Sequence, residues 1–189
     1  LGLAENTVIL FVSDHGDMLG DHGLSQKNVP YEASSRIPMI LRWPGRTEPG
    51  TVSNSLAGIE DFLPTVISEL GIERDPEAAP LYGTSLFEKE SNEYYIDYGA
   101  GPGRWIALRS SSYKYALWAK GGYEELYDLE KDPSEMVNLV SEKPELAADM
   151  KEKVLAWERK HGLSDSFENG EFKTYPFSVP DTEVPRYVN

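Results

Sequence analysis

Two short, continuous apolar segments constrain the fold of this chain most strongly. They cover residues 7–13 (TVILFVS) and 37–43 (IPMILRW), and neither alternates apolar with polar side chains. Such a run is typical of a strand that is buried on both faces of a sheet. A sheet with two covered faces needs more strands, and helices on both sides. We therefore expect these segments to complete a larger parallel sheet whose other strands lie outside these 189 residues.

The alternative is a small α+β domain in which these two strands pair with strands later in the chain. Only one helix is predicted nearby, at residues 61–70, with Asp61 as its N-cap, Pro64 in its first turn and Gly71 after its last residue. A single helix cannot cover both faces of a sheet, and this favours the larger sheet.

The second half of the chain has a different pattern. Short aromatic-rich segments separated by Gly- or Ser-rich turns predict an antiparallel four-stranded sheet. An amphipathic helix follows at residues 144–161, and the remaining residues are polar and carry prolines, which indicates an extended tail. The predicted strands are residues 93–99, 105–109, 113–118 and 124–129.

Side chains of the kind that bind metals follow the first apolar segment directly. Asp14 and His15 stand where the strand ends, and Gly16 lets the backbone turn sharply. Ligands bind beyond the carboxyl ends of strands in open α/β sheets, and a carboxylate and a neutral imidazole can converge there on one cation. Taken alone, Asp14 is as well explained as a turn residue and His15 as a hydrogen-bonded loop imidazole.

The next polar residues of this loop have a simpler interpretation. We expect Asp17, Asp21 and His22 to be solvated loop residues, and Lys27 by itself is an exposed lysine.

The charge of the chain restricts its partners. The net charge is −14, so nucleic acid and anionic membranes are not expected as partners, and an anion site would need a metal or a placed Lys or Arg. The sequence holds no Cys, which excludes disulfides and a thiolate nucleophile within it. No window approaches the roughly 18 to 20 apolar residues of a membrane span.

The order of these pieces resembles the C-terminal half of the type I sulfatases, within the alkaline-phosphatase-like superfamily. The resemblance covers roughly residues 1–161. The matching pieces are Ser13-Asp14-His15-Gly16, the run 18–24 (MLGDHGL), Lys27, Tyr31-Glu32, Arg36-Ile37-Pro38, the helix with Asp-x-x-Pro-Thr at 61–65, Gly83-Thr84-Ser85-Leu86, Tyr113-Lys114-Tyr115, the run 125–133 (ELYDLEKDP), Glu135 and Asn138-Leu139.

The resemblance implies a fold and a division of the chain. The fold class is α/β: the C-terminal part of an alkaline-phosphatase-like mixed sheet, followed by a small α+β subdomain in which an antiparallel four-stranded sheet packs on one amphipathic helix. We expect residues 1–90 to belong to the catalytic α/β domain, residues 91–162 to form the subdomain, and residues 163–189 to form the extended tail.

The resemblance also assigns roles to individual residues. Asp14 and His15 would be ligands of a divalent cation, most simply Ca²⁺, with Mg²⁺ or Mn²⁺ as alternatives because imidazole is an unusual ligand for calcium. Lys27 would contact the sulfate group and act as a catalytic residue, because an ammonium stabilises an oxyanion.

The chain departs from the family at the nucleophile. Sulfatases form it from Cys or Ser in a Cys/Ser-x-Pro-x-Arg signature, whereas the only Ser-x-Pro here, Ser178-Val179-Pro180, has Thr182 in place of the Arg. The two N-terminal aspartates of the family's metal site are also absent. We therefore expect a sulfatase fragment that is inactive alone and needs the missing N-terminal part of the catalytic domain.

The expected substrate is a sulfated small molecule or carbohydrate. Family likeness suggests a periplasmic, secreted or lysosomal location, and uncovered apolar edges could form a homo-oligomer. Arg104 and Trp105 could present a cation and a ring to a sugar sulfate, but we expect Trp105 to pack between sheet and helix, with Arg104 solvated. Two other functions stay open: a phosphoester or phosphonate hydrolase of the same superfamily, and a non-catalytic binding module.

Overall fold

The structure, a computed structural model, describes residues 1–88 and 91–177. The Ser178-Val179-Pro180 tripeptide and the residues after it therefore lie outside the described residues. The chain groups into two compact units. The first contains Leu1–Asp14 and Pro38–Asn92, and the second contains His15–Ile37 and the chain from Glu93 onward.

The two apolar segments form one pair of strands in the first unit. Strand β1 is Ile9–Val12 and strand β2 is Met39–Arg42. They pair antiparallel, with Ile9 opposite Arg42 and Val12 opposite Met39. The expected parallel arrangement is wrong for this pair, because an apolar run indicates burial but carries no information on strand direction. Nor do the two strands join the later sheet, so the alternative of one small α+β domain is also wrong.

Much of the apolar surface of this strand pair is exposed. The side chains of Phe11 and Ile40, which face each other across the pair, are 61% and 64% exposed. Large apolar side chains at neighbouring positions of a strand pair are ordinarily covered by other elements. The first unit therefore carries an apolar sheet surface that the described residues leave exposed.

The helix of the first unit begins and ends as predicted. Helix α2 is Phe62–Leu70, and a 3₁₀ turn at Ile59–Asp61 precedes it. Gly71 ends it in the left-handed region (φ 60°), where its N–H reaches the carbonyls of Ile67 and Ser68. Glycine adopts this conformation without the steric cost that a Cβ would add.

The second unit contains the predicted antiparallel sheet. Its strands follow one another in chain order: β3 (Glu93–Tyr98), β4 (Trp105–Ser110), β5 (Tyr113–Trp118) and β6 (Glu124–Asp128). Each strand pairs antiparallel with the next, for example Ala107 with Ala116. The expected four-stranded subdomain is confirmed, because short strands with turn residues between them pair locally.

One face of this sheet packs on the predicted amphipathic helix. Helix α3 is Pro144–His161 and follows a short helix earlier in the unit, α1 (Glu32–Ser35). The buried core between sheet and α3 consists of Ile106, Leu108, Tyr115, Leu117, Leu126, Ala147, Met150 and Val154. These residues alternate along the strands and recur at helical spacing in α3, so both patterns bring apolar side chains to one interface.

The residues after α3 are more ordered than a simple extended tail. Strands β7 (Phe167–Glu168) and β8 (Glu171–Phe172) form a small hairpin, and Lys120 pairs with Tyr175 in a parallel bridge. Asn169 and Gly170 form the turn, both with positive φ. An Asn-Gly pair between two short segments is a strong hairpin signal, so the expectation of an extended tail overlooked its turn.

Candidate functional site

The side chains of His15 and Lys27 are in direct contact. The Nδ1 atom of His15 lies 2.6 Å from the backbone oxygen of Gly16, and Nε2 faces the Nζ of Lys27. Because a carbonyl oxygen can only accept, the geometry places the ring proton on Nδ1 and a lone pair on Nε2. The lysine ammonium donates to that lone pair. The structure thus brings two of the three predicted site residues together.

Asp14 ends the first unit, directly before His15 begins the second. Its side chain is exposed, and the hydroxyl of Ser13 lies 3.5 Å from its Oδ1. The carboxylate is therefore accessible at the end of a strand, which is the position that the sequence predicts for a cation ligand.

The backbone around Lys27 is held in a closed loop. The amide of Met18 donates to the carbonyl of Gln26 at 2.7 Å, and one carboxylate oxygen of Asp17 accepts from the amides of Leu19 and Gln26 at 3.0 and 3.1 Å. Asp17 is thus an exposed loop residue, as expected, and its carboxylate also holds the loop closed. A single acidic side chain that accepts two amides fixes the loop without a regular element.

The two neighbours of Lys27 both have left-handed backbone conformations. The φ angles of Gln26 and Asn28 are 65° and 79°. Non-glycine residues rarely adopt this conformation, and surrounding contacts must stabilise it.

Position 16 has no room for a side chain, so it requires glycine. Its amide donates to the carbonyl of Ser34 at 2.8 Å, and a Cβ at this position would lie 2.0 Å from the carbonyl oxygen of Ala33. The sequence suggests a sharp turn as the reason for this glycine. The structure shows that the reason is close approach of two backbones, which joins the residue after His15 to helix α1.

The loop that carries His15 and Lys27 docks on the second face of the four-stranded sheet. The indole N–H of Trp105 donates to the carbonyl of Asn28 at 2.9 Å, and the hydroxyl of Tyr31 donates to Glu125 at 2.9 Å. Trp105 and Glu125 lie on the same face, opposite to the face that packs on α3, because strand residues alternate between faces. Burial, together with the charge of Glu125, raises the pKa of Tyr31.

His22 also helps to hold the loop of residues 15–37 in place. Its ring stacks on Tyr31 with centroids 3.9 Å apart, and its Nε2 lies 2.9 Å from the carbonyl of Ser134. The expectation of a solvated His22 is therefore wrong. The stacked pair holds the middle of the loop against the turn that follows β6.

A buried lysine of the sheet binds the same loop. Lys114 is 1% exposed, and its ammonium lies 2.7 Å from Glu32, 2.9 Å from Glu135 and 2.8 Å from the carbonyl of Pro30. The other oxygen of Glu135 accepts from the amide of Glu32 at 2.6 Å. Burial raises the pKa of Glu135, and the neighbouring Lys114 opposes that shift. One ammonium therefore joins the sheet, the loop and the turn after β6.

Arg104 and Trp105 both have structural roles. The guanidinium of Arg104 is buried and pairs with Glu158 at 2.7 Å and with Asp97 at 2.5 Å. The expectation of a solvated Arg104 is wrong. Trp105 is buried as expected, but it packs on the loop side of the sheet, with Ala107 and Ala116, and not against the helix. Neither side chain presents a free group to a sugar.

The described residues fit a divalent cation only in part. Within residues 1–88 and 91–177 no group of three or more His, Asp or Glu side chains could hold a metal ion by itself. A carboxylate and an imidazole are suitable donors for a hard or borderline cation, but such ions take about six oxygen or nitrogen ligands. Asp14 and His15 can therefore contribute part of a coordination sphere.

The sequence alone did not indicate several of the residues that hold the loop of residues 15–37 on the sheet. Glu32, Lys114 and Glu135 were quoted only as parts of a resemblance, and Asn28 was not singled out. One signal was available for Lys114. It lies in the run 113–118 (YKYALW), whose side chains are apolar or aromatic on both faces, so a lysine inside it has to be buried and paired.

The fold is of the kind found in the C-terminal region of sulfatases with the alkaline-phosphatase-like fold. Residues 20–160 match the family described as N-sulphoglucosamine sulphohydrolase, C-terminal. The chain belongs to this family.

Known proteins similar to the chain include an arylsulfatase from Clostridium perfringens (strain 13 / Type A), which is 34% identical in an alignment of 192 residues that covers 94% of this chain. A structure solved in complex with its substrate D-glucosamine-2-N,6-O-disulfate has a TM-score of 0.75 at 26% identity, covering 87% of this chain and 36% of its own. A phosphonate monoester hydrolase of Agrobacterium radiobacter has a TM-score of 0.68 at 25% identity, covering 85% of this chain and 36% of its own.

The chain spans 39% of the length of the arylsulfatase that it matches. Among the described residues, no helix is both long and apolar enough to cross a bilayer.

Proposed function

We propose that this chain supplies the sulfate-binding lysine and part of the cation site of a sulfate ester hydrolase. The observation that carries the proposal is the contact between His15 and Lys27 at the end of β1, in a chain of the sulfatase family. The contact places a cationic donor next to a metal-type ligand, and an oxyanion needs both kinds of group.

Each of the three residues has a distinct task in this proposal. Asp14 and His15 would hold a divalent cation, most simply Ca²⁺, with Mg²⁺ or Mn²⁺ as alternatives. The Nε2 lone pair of His15 would then bind the cation in place of the Lys27 ammonium, because it takes one partner at a time. When bound, that cation would supply positive charge to the sulfate oxygens. Lys27 donates to a sulfate oxygen and stabilises the negative charge that grows as the S–O bond breaks.

The substrate class that we propose is a sulfated carbohydrate or small molecule. The similar structure with D-glucosamine-2-N,6-O-disulfate supports this class, because its substrate is a sulfated sugar. A periplasmic, secreted or lysosomal location and a homo-oligomeric state stay predictions.

We also propose that the 189 residues alone do not turn over substrate. The chain contains no Cys for the family's nucleophile, and its only Ser-x-Pro lacks the following Arg. The first unit exposes Phe11 and Ile40 on its strands, which supports a requirement for further polypeptide on that sheet. Turnover by the isolated chain that disappears in Asp14→Ala would overturn this part of the proposal.

The experiment uses the full-length protein and an aryl sulfate with calcium present. We expect Lys27→Met to lower kcat/KM by about 10²- to 10³-fold, the usual loss for one donor to a developing anion. Lys131→Met is the matched control, because the side chain of Lys131 is 81% exposed and pairs with Asp128, the last residue of β6. An equal effect of both substitutions would contradict the role of Lys27.

The phosphonate hydrolase structure favours a second candidate function. The same assay distinguishes the two when a phosphonate monoester with the same leaving group is offered to the full-length protein. A higher kcat/KM for the phosphonate than for the sulfate ester would support the second candidate and overturn the first.

A further inference from the structure

A buried ionic cluster joins the proposed sulfate-binding loop to the sheet below it. Its members are Lys114 of β5, Glu32 of helix α1 and Glu135 of the turn after β6. Arg109 of β4 lies 3.8 Å from Glu32 and adds a second cation. The cluster therefore holds two acidic and two basic side chains. Lys114 is the closer cation to Glu32 and pairs with Glu135, and charges in a buried site need a close partner.

The loop contacts of this cluster lie close to Lys27 in the chain. Lys114 bonds the carbonyl of Pro30, three residues after Lys27, and Trp105 bonds the carbonyl of Asn28, directly after it. On the other side, Asp17 holds the amide of Gln26. The main chain of Lys27 is thus held from both directions, and only Val29 separates the two contacts with the sheet.

We propose that Lys114 is a positioning residue for Lys27. Its buried ammonium holds the loop on the sheet so that the ammonium of Lys27 reaches His15 and a bound oxyanion. This inference rests on the proposed function of Lys27, and it extends the proposed site into the antiparallel subdomain. Lys114 acts through Glu32 and Pro30 and does not touch the substrate itself.

The substitution that tests the proposal is Lys114→Met in the full-length protein. Methionine keeps most of the side-chain length but removes the close cation from buried Glu135 and leaves Glu32 only the more distant Arg109, which favours movement of the loop toward solvent. Lys114→Arg keeps the charge and provides the conservative rescue. Lys151→Met is the matched control, because Lys151 is 40% exposed and pairs with Glu124 at 2.6 Å.

Two measurements are made on each variant at a temperature where all remain folded. Hydrogen–deuterium exchange of peptides covering residues 15–37 reports docking of the loop, and kcat and KM on an aryl sulfate report the site. We expect Lys114→Met to raise exchange in these peptides about tenfold and to lower kcat about tenfold. We expect partial recovery in Lys114→Arg and no change in Lys151→Met.

The outcomes separate this inference from the proposed function. Unchanged exchange of residues 15–37 in Lys114→Met would overturn the inference, and so would a kcat that falls only in proportion to the unfolded fraction. The unsubstituted protein could lack sulfatase activity while Lys114→Met still exchanges faster. That result would support docking by Lys114 and overturn the proposed function. If Lys114→Met does not fold, Glu32→Gln tests the same contact from the loop side, since Glu135 still pairs with Lys114.

Discussion

At several points of this chain a single polar side chain holds separate backbone segments together by hydrogen bonds. Asp61 is one example. It is fully buried, and its two carboxylate oxygens accept from the amides of Gly58 and Thr84 at 2.8 and 2.9 Å. The hydroxyl of Thr65 donates to the carbonyl of Asp61 and accepts from the amide of Leu86 at 2.8 Å. The Asp-x-x-Pro-Thr pattern thus ties residues 83–86 to the start of α2, whereas the Asp61 side chain makes no capping hydrogen bond to that helix.

Asp61→Asn tests this role. An amide has one acceptor oxygen, so one of the two backbone N–H groups would face another donor in a buried place. We expect the free energy of unfolding to fall by about 1 to 3 kcal/mol. Chemical denaturation measures the change. Asp75→Asn is the control, because Asp75 accepts from the amide of Glu77 at an exposed position. A cost for Asp75→Asn equal to that of Asp61→Asn would argue against the buried acceptor pair.

At the scale of elements, the four-stranded sheet is covered on both faces by different kinds of structure. Helix α3 covers one face with apolar side chains. The loop of residues 15–37 covers the other face with hydrogen bonds and ion pairs, through Trp105, Lys114 and Glu125. Apolar packing stabilises the helix side, whereas the loop side depends on a few directional contacts, which suits a segment that has to hold functional groups in place.

Met150→Ala measures the contribution of the helix side. The side chain of Met150 is 3% exposed in the core between α3 and the sheet. Its truncation leaves a cavity, and we expect a loss of about 2 to 5 kcal/mol in the free energy of unfolding. Met136→Ala is the matched control, with a side chain that is 66% exposed, and it should change stability by less than about 0.5 kcal/mol. Similar losses for both would show that the helix does not cover the sheet as described.

At the scale of the whole chain, the acidic composition opposes the binding of an anionic substrate. A net charge of −14 repels sulfate esters, so the proposed site needs the local positive charge of Lys27 and of a bound cation. Three buried or half-buried tyrosines make the fold sensitive to alkali. Burial, followed by the effect of a neighbouring glutamate, raises the pKa of Tyr31, Tyr115 and Tyr127 above the ordinary tyrosine value.

The direction of this pH dependence follows from proton binding. Above a pH of about 10 the unfolded chain loses the protons of these tyrosines while the folded chain keeps them. The unfolded state then binds fewer protons, so the free energy of unfolding falls as pH rises. Absorbance of tyrosinate and far-UV circular dichroism, followed together during an alkaline titration, should show a late ionisation step that coincides with unfolding.

Two variants identify the tyrosines in that step. Tyr115→Phe should reduce the amplitude of the late step, because Tyr115 is fully buried. Tyr82→Phe should leave the late step unchanged, since the side chain of Tyr82 is 74% exposed. A late step that survives unchanged in Tyr115→Phe, or one that precedes the loss of secondary structure, would contradict this account.

The sequence by itself determined the local elements of this chain. The four strands β3–β6 and the helices α2 and α3 follow from periodicity and turn residues over short stretches of chain. The family resemblance, which the comparison with known proteins confirms, followed from the order of the same pieces.

Only the tertiary structure decided which distant residues meet. The antiparallel pairing of β1 with β2, the burial of Arg104 against Glu158 and the docking of residues 15–37 on Lys114 join positions far apart in the chain. Periodicity reports which face of an element is buried, but not which other segment covers that face. That choice depends on shape and on the pairing of buried polar groups across the whole unit, where each charge has to find a partner.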